Sequence, residues 1–142
     1  MKEKIFEAFK ALGFEMEEVE GMGYSFQYEG KHFLYMYNEE DEEFLNISLP
    51  CVLDYEDYDD ATLSKVTEKL NSTLKYVKAY KVNDSIWLFY ERELIGDEDL
   101  NKLLSRMIIH LEAALMFLRH TVTDIDDDDD GDDDDDDNVP NT

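Results

Sequence analysis

The 142 residues carry 37 Asp+Glu against 13 Lys+Arg, a formal net charge of −24. Asp124 to Asp137 (DIDDDDDGDDDDDD) holds 12 of those acids, so the preceding body keeps an excess of about 12 by itself. A surface this acidic repels phosphate backbones and anionic membranes, which excludes the usual cationic footprint for nucleic acid and direct membrane binding.

Lys2 to Leu12 places Ile5, Phe6, Phe9 and Leu12 at helical spacing, and Gly13 follows where a helix stops. Strand signals come next. Phe14 and Met16 begin an alternation over 14–20 that Gly21-Met22-Gly23 breaks. Tyr24, Phe26 and Tyr28 then alternate with Ser25, Gln27 and Glu29. Glu29-Gly30-Lys31 makes a tight turn, and Phe33, Tyr35 and Tyr37 oppose His32, Leu34 and Met36. The acidic loop 38–43 leads to Phe44–Leu49, which Pro50 ends or marks as an edge.

Beyond an acidic turn at 53–60 the helical period returns, with Asp59 or Asp60 as cap and Leu63, Val66, Leu70 and Leu74 as its stripe. Tyr76–Val82 and Ser85–Glu91 form a hairpin through Asn83-Asp84. Gly96 and Asp97 open the longest helix, which runs to about His120 and carries Asp97, Glu98 and Asp99 in its first turn. The order is α-β-β-β-β-α-β-β-α, an α+β domain over residues 1–123 with an antiparallel meander flanked by helices. An Asp-rich, disordered tail is expected over 124–142, because aspartate runs bury no apolar surface and repel themselves.

At about 100° per residue, Leu100, Leu103, Leu104, Met107, Ile108, Leu111, Ala114, Leu115 and Leu118 share one core-facing side of the last helix. The opposite side carries Lys102, Ser105, Arg106, Glu112 and Arg119. Ile109, Ala113 and Met116 interrupt that polar stripe, with Phe117 at its border. Either they are scattered exposed apolar residues, or this half of the helix meets a second surface: a partner subunit or another part of the chain.

Candidate chemistry is sparse. His32, His110 and His120 are far apart, and Cys51 has no CxxC partner, so no zinc site, no other metal and no cofactor are expected. Cys51 reads as a buried, inert thiol, and one cysteine excludes an internal disulfide and suits a reducing compartment. Gly21-Met22-Gly23 lacks the third glycine and following helix of a phosphate loop. Asp126, Asp128, Asp130, Gly131 and Asp137 match the spacing of an EF-hand loop, a match that any aspartate run produces, and the usual terminal Glu is missing. No catalytic residues stand out, and a non-enzyme is expected. The N-terminus, MKEKIFEAFKAL, is charged at every turn and is no signal peptide, and 107–118 is too short to span a bilayer. A cytoplasmic location follows.

The stretch TLSKVTEKLNSTLKYVKAYKVNDSIWLFYERELIGDEDLNKLLSRMIIHLEAAL, in this order of elements, resembles the type III secretion chaperone-like fold, and particularly the YbjN-type bacterial family of sensory transduction regulators. Asn71 occupies the place of an Asn near the end of that family's second helix. The resemblance spans roughly residues 1–120; the Asp-rich tail departs from it. It implies a non-catalytic protein-binding module, often a homodimer, holding partner segments along apolar patches. The two surfaces in view are the sheet face rich in Tyr24, Phe26, Tyr28, Phe33, Tyr35 and Tyr37, and the patch of Ile109, Ala113, Met116 and Phe117. The alternative is a polyanionic tail that engages basic partners or cations electrostatically.

Overall fold

A computed structural model describes residues 1–131, with side chains to Ile125. Its elements are α1 (Lys2–Ala11), β1 (Glu17–Val19), β2 (Gly23–Tyr28), β3 (Lys31–Met36), β4 (Phe44–Asp54), α2 (Asp60–Thr73), β5 (Val77–Val82), β6 (Ser85–Glu93) and α3 (Leu100–Gly131). The α+β order is the one expected from the sequence. One six-stranded antiparallel sheet runs β1-β2-β3-β4-β6-β5.

Alternation in the strands builds the inner face. Phe26 lies across from Phe33 and Tyr24 from Tyr35. The β2–β3 turn has Glu29 at φ 51° and Gly30 at φ 77°, the mirror-image geometry that suits the right-handed twist of a hairpin. Gly23 is required by contact as well as by its φ of +150°: a Cβ there would sit 2.1 Å from the Tyr35 carbonyl oxygen. α1 lies over this face. Phe6 meets Tyr24 edge-on at 4.6 Å between ring centroids, and Phe9 lies 4.8 Å from Phe26. The aromatic sheet face is therefore core under α1, which removes it as a docking surface.

α3 closes the rest of the inner face. Leu103, Leu104, Met107, Ile108, Leu111, Ala114, Leu115 and Leu118 are all buried, and Leu100 is partly so. Its ends differ from the sequence expectation. The helix starts at Leu100, capped by Asp99, which accepts from Lys102 N at 3.2 Å, while Glu98 bonds the loop before it, accepting from the Ile95 and Gly96 amides at 2.8 and 3.0 Å. It also continues past His120 to Gly131. The apolar period persists there, with Val122 buried and Ile125 packed on the core, so core contacts reach two residues past 123. Residues 132–142, and with them Asp137 of the EF-hand-like spacing, lie outside the described residues, as do the side chains of 126–131.

Two strand ends also differ. β1 spans only three residues. β4 does not stop at Pro50: its ladder with β6 shifts register between Leu49 and Leu53, and Pro50, Cys51 and Val52 occupy the irregularity. The missing proline N–H falls where the ladder is already broken, and pairing with β3 has ended by Ser48. Cys51 sits there at φ 55° and is exposed, not buried as its sequence context suggested.

On the outer face, Leu34, Trp87 and Phe89 form a second, smaller cluster edged by Val19, Met36 and Val82. The Ser48 hydroxyl is buried between Leu34 and Phe89 with no hydrogen-bond partner among the described residues.

α2 begins as expected, with Asp59 accepting from Thr62 N at 2.7 Å. Near its other end, Asn71 clasps the edge strand β5. Its Nδ2 donates to the Ala79 carbonyl at 2.9 Å, and Ala79 N–H donates to its Oδ1 at 2.7 Å. An edge strand presents unpaired backbone groups, and one amide side chain satisfies a donor and an acceptor here. Asn71→Ala should cost about 1–3 kcal/mol in urea unfolding, because it leaves both Ala79 groups unpaired beside a buried residue. A loss below a few tenths of a kcal/mol would show that water replaces the clasp.

Candidate functional site

The four residues singled out on the last helix separate into two environments. Ile109 and Met116 are each 58% exposed, and Ala113 is exposed beside them. Phe117 instead turns toward α2, where it lines a groove of about 480 Å³ with Lys65, Lys69, His120 and Ile125. The exposed three follow steps of four and three residues. Lys102 and Arg106 continue the same spacing toward the helix start, and His120 and Thr123 continue it toward the end. The stripe is thus basic at one end and apolar in the middle, and it leads through exposed Asp124 into the aspartate run. Lys31 Nζ donates to Glu112 Oε2 at 3.0 Å on its flank, tying the β2–β3 hairpin to α3.

A second constellation escaped the sequence reading. Tyr76, between α2 and β5, has φ 71° and is 65% exposed. A bulky aromatic rarely adopts this left-handed backbone. Its ring stacks on Tyr90 at 5.6 Å with 5° between planes, and the His110 ring lies 5.1 Å away. Arg92, Lys102 and Arg106 join them around a cavity of about 370 Å³. Burial pushes the Tyr90 phenol up first and Tyr76 adds to this, while Arg92 and Arg106 oppose it. Tyr76 counts as an ordinary strand start in the sequence, Lys102 and Arg106 as the solvated side of the last helix, and Arg92 carries no signal of its own. They meet only because the end of β6 lies against the first turns of α3.

The remaining candidates stay apart. His32 is exposed on the outer sheet face, and His120 is exposed at the groove. Among the described residues, no group of three or more His, Cys, Asp or Glu is placed to hold a metal ion, and no helix is long and apolar enough to cross a membrane. No protein-family model matches the chain, and no curated protein sequence matches it either.

Glu98 organises the loop beside the cavity. The Ile95 amide hydrogen bond, supported by Gly96 N–H and the Arg92 guanidinium at 2.7 Å, holds its carboxyl below the ordinary 4.5. A carboxyl lowered in the folded state adds stability that is present above its unfolded value and disappears as pH falls through the folded one. Glu98→Gln should therefore show a smaller drop in Tm than the unmodified chain between neutral pH and about pH 3. Equal drops, measured by circular dichroism, would mean that the charge on Glu98 contributes nothing.

Proposed function

We propose that this chain is a non-catalytic, cytoplasmic protein-binding module, and that the outer stripe of α3 is its contact surface, occupied by a second copy of the chain. The observation that carries this reading is the exposure of Ile109 and Met116 on either side of Ala113, on a helix whose opposite face is fully committed to the core. A small residue at the centre lets two helices approach closely, and steps of four and three are those of a helix-pairing seam. Charge selects the orientation. A parallel pair would face Lys102 and Arg106 with their own copies, whereas an antiparallel pair centred near Ala113 sets Lys102 against the partner's Asp124, where the acidic end begins, and moves Arg106 away from its own copy. The resemblance to YbjN-type regulators and secretion chaperone-like proteins supports the same class: a dimeric scaffold that holds other proteins without performing chemistry on them.

Ile109→Asp combined with Met116→Asp should reduce the sedimenting mass to that of one chain, with the far-ultraviolet spectrum preserved because both side chains are exposed. A variant that sediments like the unmodified chain removes the stripe as the contact.

A second reading rests on the 12 acids between Asp124 and Asp137, which make the end of the chain a polyanion able to hold basic partners or cations. Deleting residues 132–142 spares every described residue. This removes six of the 12 acids, so capture of polylysine should fall and become less salt-dependent; undiminished capture would assign it to the body.

A further inference from the structure

The Tyr76 cavity reverses the sign of the molecule locally. In a chain of net charge −24, its wall brings Arg92, Lys102 and Arg106 together against only Glu98 and Asp99. Arg92 is already engaged, through Glu98 at 2.7 Å and through its Nε to the Glu93 carbonyl at 3.0 Å. The Lys102 ammonium and the Arg106 guanidinium form no ion pair within 4 Å among the described residues. Two unmatched cations beside each other in an acidic protein repel, and an oxyanion between them relieves that repulsion through charge-assisted hydrogen bonds.

The ring above them specifies the rest of the ligand. One face of Tyr76 lies flat on Tyr90, and the left-handed backbone holds it there at the mouth of the cavity with 65% of the residue exposed. Strain of this kind persists only where surrounding contacts over-determine it, and the open ring face is an offset-stacking platform. A volume of about 370 Å³ suits a small molecule.

We infer that this cavity binds a small planar aromatic anion, its ring stacked on Tyr76 and its carboxylate or phosphate held by Arg106 and Lys102. The site shares Lys102 and Arg106 with the stripe of the proposed α3 pairing, so the ligand competes with the partner copy for Lys102. Ile109→Asp with Met116→Asp removes the pairing and leaves the cavity wall intact, so each can fail without the other.

The test is a nuclear magnetic resonance titration of the full chain with 4-hydroxybenzoate and, separately, phenyl phosphate. At least one should shift the Tyr76, Tyr90 and His110 ring signals saturably while Trp87, on the outer sheet face, stays unmoved; the one that binds tells carboxylate from phosphate. Arg106→Ala and Tyr76→Ala should each weaken binding about tenfold, and Tyr76→Phe should retain it. Both side chains replaced lie at the surface, and an unchanged Trp87 signal verifies the fold in each variant. No saturable shift with either compound, or an affinity in Arg106→Ala and Tyr76→Ala unchanged from that of the unmodified chain, overturns the site. Inorganic phosphate binding as tightly as phenyl phosphate overturns the aromatic half of it.

Discussion

Among the described residues the inner face of the six-stranded sheet has no second sheet to pack against, so burying Phe33, Tyr35, Leu45, Ile47 and Leu88 falls to helices from one side alone. α1 covers the aromatic end with Phe6 and Phe9. α3 covers most of the remainder, and within five residues past His120 it is still contributing Val122 and Ile125. Hydrophobic burial at roughly 25 cal/mol per Å² makes that shared layer the main source of stability. Its consequence for function is geometric. A helix that must be long enough to cover the sheet necessarily exposes a long opposite side, and the residues placed there are under no core constraint.

Local patterns in the sequence report the parts of this architecture that depend on neighbours in the chain. The stop of α1 at Gly13, the Glu29-Gly30 turn, the Asp59 cap and the buried side of α3 each follow from a few adjacent residues, and each is present. The continuation of β4 through Pro50 is different, because a proline is tolerated there only by virtue of a register shift against β6, some 40 residues away in sequence. The length of α3 is likewise a tertiary effect: aspartate disfavours helix, yet Val122 and Ile125 find core to pack on. Asn71, singled out by resemblance, has a structural role as the clasp on β5.

The exposed stripe of Ile109, Ala113 and Met116 was legible because helical periodicity separates sides of one helix without knowledge of the fold. The Tyr76 cavity was not, since its residues come from the α2–β5 link, β6 and α3, and nothing in their spacing associates them. Charge behaves similarly. Net charge alone describes a uniformly anionic surface, whereas the fold gathers two of the three arginines, Arg92 and Arg106, on one wall beside Lys102. The same gathering gives α3 a basic beginning and an acidic end, which is the property that would orient two copies against each other.

Sedimentation equilibrium of the full-length chain over a wide range of concentration and salt addresses the pairing of α3 most directly. Antiparallel pairing predicts a concentration-dependent shift from 16.7 kDa to twice that mass. A single species of 16.7 kDa at every concentration would contradict it.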